Sequence, residues 1–445
     1  MFTYLKLKNF LSFKNIEFDL TGRSHDPKHL AMVFGENGAG KSNLLYAFRM
    51  LIDLLGTMDV RDAYERLLNQ KAIFTDERMD QRLKQQMIAG LRDIRTIIDS
   101  CKMIDCDEPI HAEYGFMING NHGVYTIELG DDEIVYEKLE YLLNKRRGTY
   151  FECLHGNITI NHVIFLDKDF YSDFRASCKR YWGKHSLLSV LMYELRDKST
   201  SYGWNNLAAN VRSVLTLFFS LSYHSNLSNE YVDAFHDEHA LYPLRDATEG
   251  IIDTENSSSL EHMTKIITSF FHSINSNILQ AYYETEASGK KIKYQLYFRK
   301  NIAGTIRDIP FKRESTGNHQ LMKVLCAALT ACMGQIVIID EADAGIHDLL
   351  FQKLIEELTD SLCGQLIITS HNTMLLETKA ARDTVYIISE NNNSTEIKCI
   401  SEYENRTYLN NNIRNKYLNN DYKGIPTVSH IDFDALLQEA LNLGN

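Results

Sequence analysis

An α/β fold is predicted for this chain of 445 residues: a parallel sheet, an antiparallel β meander beside it, and helical insertions. Three features predict it. The first is a short apolar strand over 30–34 that runs into a glycine-rich loop, then a helix with apolar residues at 44, 45, 48, 51, 52 and 55. Strand, loop and amphipathic helix in that order open a βαβ unit. The second is a later series of apolar strands at 336–339, 366–369 and 385–388, with helical stretches between them. Such a series aligns its strands in parallel. The third is the change to a period of two between 111 and 160, where Asn119-Gly120 marks a hairpin turn between 111–118 and 123–129. Gly130-Asp131 marks a second turn.

The remaining elements follow the same logic. Residues 2–8 and 13–20 alternate like the two strands of an edge hairpin. The stretch 57–100 is rich in Arg, Asp, Gln and Leu and repeats helically through Met87, Leu91, Ile94, Ile97 and Ile98. From 170 to 285 the reading is helix, with Trp182, Trp204 and a break at Ser257-Ser258-Ser259. Strands are expected again at 293–299, where Tyr294, Leu296 and Phe298 alternate, and at 304–309. One helix follows Gly317, another lies near 348–362, and the last 45 residues are Asn-rich with one short amphipathic helix. No stretch sustains the heptads of a long coiled-coil arm, and no internal repeat is visible.

Composition narrows the class. Lys and Arg number 47 against 59 Asp and Glu, giving −12, with 24% charged and 44% hydrophobic residues. That is a globular composition and excludes a globally basic nucleic-acid binder. The eight cysteines contain no C-x-x-C pair, so they read as scattered thiols of a reducing cytoplasm rather than a zinc site or disulfide framework. The N-terminus alternates like a strand and lacks a signal peptide's apolar core. The least polar run, 325–339, is interrupted by Gly334-Gln335 and is too short to span a membrane. A cytoplasmic, soluble protein with no membrane partner is expected.

Four motifs carry chemistry. Gly35-Glu36-Asn37-Gly38-Ala39-Gly40-Lys41-Ser42 is a complete G-x-x-x-x-G-K-S loop between strand and helix. Its backbone N–H groups wrap phosphate oxygens at a helix N-terminus, Lys41 reaches the terminal phosphates and the Ser42 hydroxyl ligates Mg²⁺. Next, the strand 336–339 ends in Asp340-Glu341. There Asp340 supplies an oxygen to Mg²⁺, and Glu341 can polarise a water as general base. Third, Ser315 and Gly317 sit at the start of a helix, where free N–H groups bind an anion; taken alone this is also an ordinary N-cap. Fourth, the strand 366–369 leads through Ser370 to His371, placed to contact a γ-phosphate.

This order of motifs resembles the ATP-binding-cassette (ABC) ATPases, and within them the SMC/RecF/overcoming-lysogenisation-defect branch. Leu7-Lys8-Asn9-Phe10-Leu11-Ser12-Phe13-Lys14 is similar to that branch's opening strand, and Lys41-Ser42-Asn43 to its loop ending. Bacterial abortive-infection ATPases are the nearest in pattern, through the 111–160 meander, Ser370-His371-Asn372-Thr373 and the tail Asn415-Lys416-Tyr417-Leu418…Tyr422-Lys423-Gly424-Ile425-Pro426. The resemblance implies an ABC ATPase head using ATP and Mg²⁺, with Gly35, Asn37, Gly38, Ala39, Gly40, Lys41, Ser42 and Asn43 around the nucleotide. It implies Ser42 and Asp340 on the metal, and Glu341 and His371 in catalysis. Ser315 and Gly317 become signature residues serving the ATP of an opposite protomer, with Asp343 in the loop across that seam. Ala342 stands where transporter cassettes carry Pro, the signature lacks a double glycine, and no Mg²⁺-sensing Gln is placed, Gln70 lying in a predicted helix.

The implied organisation is a first ATP-binding lobe over 1–169 with a helical insert near 57–104, and a helical dimer or partner arm over 170–285. A second lobe covers 286–399 and a tail 400–445. The implied partners are a second copy of the chain, or a higher homo-oligomer, joined through ATP, and a separately encoded toxin or nuclease effector of an anti-phage defence system. The alternative is a RecF/SMC-like DNA-repair ATPase acting on DNA, with Lys145-Arg146-Arg147, Lys179-Arg180 and Lys290-Lys291-Lys293 as phosphate contacts. A transporter subunit is disfavoured because about 270 residues separate Lys41 from Ser315. A nuclease with its own metal domain is disfavoured by the short stretch after His371, and Asp432-Phe433-Asp434 reads as a helix cap rather than a metal site.

Overall fold

The computed structural model describes residues 1–69, 91–197, 200–226, 230–234, 246–391, 394–403, 412–425 and 431–443. In chain order, strands β1 (Phe2–Phe10) and β2 (Phe13–Asp19) form a hairpin, and β3 (Leu30–Phe34) leads into the helix Lys41–Leu55. The meander follows: β4 (Ile110–Ile118), β5 (Asn121–Leu129), β6 (Ile134–Leu143), β7 (Arg146–Leu154) and β8 (Asn157–Ile160). After a group of helices come β9 (Leu221–Ser225), β10 (Glu230–Asp233), β11 (Glu249–Asp253), β12 (Ile278–Ser288), β13 (Lys291–Ile302) and β14 (Thr305–Pro310). The helix Thr316–Cys332 precedes β15 (Ile336–Asp340), and the helix Asp348–Thr359 precedes β16 (Gln365–Thr369); β17 (Val385–Asn391) and β18 (Ser394–Cys399) complete the strands.

Three sheets result. An antiparallel seven-stranded sheet runs β2-β1-β4-β5-β6-β7-β8, so the predicted hairpin and the predicted meander are one layer. Its β4–β5 turn is made by Asn119 and Gly120, both at positive φ, as a two-residue hairpin turn demands. A second seven-stranded sheet runs β10-β9-β15-β16-β3-β17-β18, parallel through its five inner strands and antiparallel at both edges. A small antiparallel sheet pairs β13 with β11, β12 and β14.

The inner strands β3, β15, β16 and the first part of β17 are buried on both faces, which is why they read as continuous apolar runs. Alternation divides them between two cores. Ala31, Val33, Ile336, Ile338, Ile367 and Ile388 join the core shared with the meander and the helix Lys41–Leu55. Their neighbours Met32, Phe34, Val337, Ile339, Ile368 and Ile387 join the opposite core, under the helices Thr316–Cys332 and Asp348–Thr359.

One expectation is corrected. The span 170–285, read as a helical arm, is only partly helical: its helices Lys168–Tyr181, Leu187–Asp197, Thr200–Asn205, Ala209–Phe219 and Ser258–Ile274 alternate with β9, β10, β11 and most of β12. β9 is an inner strand of the central sheet, between β10 and β15. It escaped notice because its alternate residues Ser222 and His224 are polar, against the apolar rule for such strands. β12 escaped because most of it is exposed and polar. The serines at 257–259 begin a helix rather than break one. Met87 and Gln70 lie outside the described residues. All eight cysteines are free thiols, and among the described residues no helix is long and apolar enough to cross a membrane.

Candidate functional site

The glycine-rich loop takes its shape from close packing beneath it. Gly40, at φ 98°, precedes the helix Lys41–Leu55; a Cβ there would lie 2.7 Å from the Phe13 ring and 3.1 Å from Ser12 Oγ. At Gly35 a Cβ would come within 2.5 Å of Ile388. The loop therefore lies against the β1–β2 turn on one side and β17 on the other. Asn43 Nδ2 donates to Ser12 Oγ at 2.9 Å, tying the helix start to that turn. Ser42 is exposed and Lys41 is buried. Lys41 Nζ donates to the carbonyls of Gly35 and Glu36, each at 2.9 Å. Burial lowers the Lys41 pKa, with Asp340, Glu341 and Glu36 opposing it.

Asp340 is buried at the end of β15. Thr369, ending the adjacent β16, orients it: the Thr369 hydroxyl donates to Asp340 Oδ1 at 2.6 Å and accepts the Glu341 N–H at 2.7 Å. On the other side Asn226, immediately after β9, donates its side-chain amide to the Glu341 carbonyl at 2.7 Å, and its N–H reaches the Asp340 carbonyl at 3.3 Å. Glu341 is thus held by both backbone groups, in the left-handed region at φ 54°. Its carboxyl lies above the ordinary pKa through burial first, then Asp340 and Asp343, with Lys41 opposing. His371 follows β16 and Ser370, whose N–H reaches the Val33 carbonyl. Partial desolvation, then Lys41, lowers its pKa against the pull of Asp343 and Asp340.

Lys41, Asp340, Glu341, Asp343 and His371 therefore form one electrostatic cluster at the carboxyl ends of parallel strands, where open α/β sheets bind ligands. Ser315 and Gly317 stand at the start of the helix Thr316–Cys332. Ser315 caps the helix Thr316–Cys332 by accepting from the Asn318 N–H at 3.3 Å. A Cβ on Gly317 would stand 3.2 Å from the Gly345 carbonyl, so this helix start lies against the loop that carries Asp343. Buried Glu314, paired with Lys300 at 2.9 Å and with Asn318 Nδ2 at 2.7 Å, anchors it. Asn372 Nδ2 donates to the Asp348 carbonyl at 2.8 Å, linking the His371 loop to the far end of the Asp343 loop.

The donors present suit Mg²⁺ but cannot enclose it. Ser42 offers a hydroxyl and Asp340 a carboxylate, hard oxygens suited to an ion that keeps waters and takes phosphate oxygens. Among the described residues there is no cluster of three or more His, Cys, Asp or Glu able to hold a metal. Asp432 caps the helix Phe433–Asn442 by accepting from the Ala435 N–H at 3.0 Å, as expected. The contributions of Ser12, Asn226 and Thr369 were not foreseen. Only the place of Thr369 at the end of the strand that leads to His371 gave any hint.

The fold is that of an ABC-type ATPase head: a P-loop in a parallel sheet, covered on one face by an antiparallel meander. Residues 30–377 match the family described as "AAA domain, putative AbiEii toxin, Type IV TA system", and the chain belongs to that family. No curated protein matches the chain. Among solved structures it is similar to an SMC head bound to the C-terminal winged-helix domain of ScpA, at 13% identity and TM-score 0.46, covering 91% of this chain and 99% of that one. It is also similar to the SMC head domain from Thermotoga maritima, at 13% identity and TM-score 0.38, covering 89% and 98%. A third likeness is to the Smc head with extended coiled coil and ScpA C-terminal domain from Pyrococcus furiosus, at 12% identity and TM-score 0.40, covering 90% and 97%.

Proposed function

We propose that the chain binds ATP with Mg²⁺ and hydrolyses it at sites completed by a second copy of itself. The observation that carries this reading is Glu341, held at both backbone groups beside buried Asp340 and within the field of Lys41. When bound, Mg²⁺ would neutralise charge on the transferred phosphoryl group. Ser42 and Asp340 hold that ion, the loop amides and Lys41 orient the phosphates, and Glu341 accepts a proton from the attacking water. His371 contacts the terminal phosphate. Ser315 and Gly317, set on the Asp343 loop, serve the nucleotide of the neighbouring copy.

Membership of a family described by a toxin and a toxin–antitoxin system favours defence as the context. In this reading the chain is the ATP-driven sensor or scaffold, and a separately encoded toxin or nuclease is its effector. It works in the cytoplasm, with the helices between 168 and 219 available as a partner surface. The test is phosphate release by the purified full chain, together with phage plating of cells carrying the chain and its neighbouring genes. Mg²⁺-dependent release and protection, both lost in Lys41→Ala, are expected. Release stimulated by gapped or broken DNA, with no effect on plating, would instead favour the DNA-repair alternative.

A further inference from the structure

A strand at the inside of a doubly covered parallel sheet should be apolar on both faces. β9 obeys this on one face only. Leu221 and Tyr223 pack into the core shared with the helix Lys41–Leu55. On the other face, Ser222 and His224 continue the row of Ser220 before the strand and Asn226 after it, all four polar. They line a cavity of about 350 Å³. Its opposite wall is one face of the helix Thr316–Cys332, through Met322, Lys323, Cys326, Ala327 and Thr330. Where β15 meets this helix with Val337 and Ile339 in a closed core, β9 leaves a polar space.

Two observations mark the space as a site rather than a packing fault. Ser222 is buried, and its hydroxyl has no hydrogen-bond partner in the protein. Such a group costs stability unless something binds it. The volume also falls within the range of ligand pockets. The lining narrows the ligand. Aromatic walls come from two edge-to-face ring pairs, His224 with Tyr231 at 4.4 Å between centroids and Phe311 with His319 at 4.6 Å. Burial pushes the His224 imidazole down to about 3, so it offers one donor and one acceptor. Lys323 disfavours a cation, and Glu230, Asp233 and Asp246 disfavour an anion. What fits is flat, uncharged and rich in both donors and acceptors.

We propose that this cavity is a regulatory site for a nucleoside, read along its base edge by Ser222, His224 and Asn226. The site is joined to both halves of the nucleotide machinery. Asn226 bonds Asp340 and Glu341 directly, and the opposite wall is the helix that begins at Ser315. Occupancy therefore bears on the water-activating residue and on the surface offered to a second copy. This coupling rests on the ATPase reading above; binding to the cavity does not.

The test uses the full chain carrying Lys41→Ala, which removes the P-loop contribution, titrated calorimetrically with adenosine, guanosine, cytidine, uridine and thymidine. At least one should bind saturably, one per chain. Ser222→Ala, which keeps the space and removes the hydroxyl, should weaken it about tenfold. Ala327→Trp, which fills the cavity, should abolish binding while retaining a cooperative unfolding transition; should that variant not fold, Ser222→Ala decides. With Lys41 restored, the bound nucleoside should shift ATP affinity about fivefold or more. No saturation by any of the five up to about 1 mM, or binding unchanged in Ser222→Ala, would overturn the proposal. Binding without a shift in ATP affinity would overturn its regulatory half.

Discussion

At the scale of single residues, the site turns on Thr369 and Asn226, the two side chains that hold the Glu341 backbone. Glu341→Gln keeps the shape but cannot accept a proton. Hydrolysis should fall by about 10²–10⁴-fold with ATP affinity retained, which single-turnover phosphate release and nucleotide titration would measure. Thr369→Val should leave the Glu341 N–H and an Asp340 oxygen unsatisfied, for a loss of about 1–3 kcal/mol in denaturant unfolding. As a positioning residue it should lower kcat more than it changes KM. The raised Glu341 pKa fixes the sign of the pH dependence. A general base works ionised, so kcat should fall with falling pH through a value above the ordinary carboxylate's 4.5. A pH–rate profile whose acid limb sits at or below 4.5 would contradict the assignment of the base.

At the scale of elements, the meander is fastened to the helices beyond it by a buried acid. Glu137 on β6 is fully buried, accepts from Tyr125 Oη at 2.9 Å and takes the Leu187 N–H at 2.7 Å. Desolvation outweighs these bonds and pushes its pKa up to about 7 from 4.5. A raised carboxyl favours folding fully below its unfolded pKa, and the benefit is lost as pH rises through the folded value. Unfolding free energy should therefore fall between pH 4.5 and 7, by on the order of 3 kcal/mol from this group. Glu137→Gln should flatten that slope in denaturant melts taken across the range. The elements that were legible in the sequence are those whose signal is local: the loop 35–42, the Asn119-Gly120 turn, the apolar strands and the Ser315 cap. Asn226 was not legible, because it meets Glu341 across 115 residues from a strand whose polar face disguised it. The helical arm was over-read for the same reason.

At the scale of the whole molecule, strands from both ends of the chain and its middle build one sheet, β3 lying between β16 and β17. The P-loop and the Asp340-Glu341 strand are thereby united in one copy, whereas Ser315 caps a separate helix whose start packs on the Asp343 loop. A two-fold pair would then carry two composite sites, each with the loop of one copy and the signature helix of the other. The direct measurement is phosphate release by a mixture of Lys41→Ala and Ser315→Arg chains, each inactive alone. Random pairing should restore roughly a quarter of the wild-type rate, since half the pairs carry one working site of two. A mixture as inactive as either parent, with heterodimers confirmed by mass, would contradict the account.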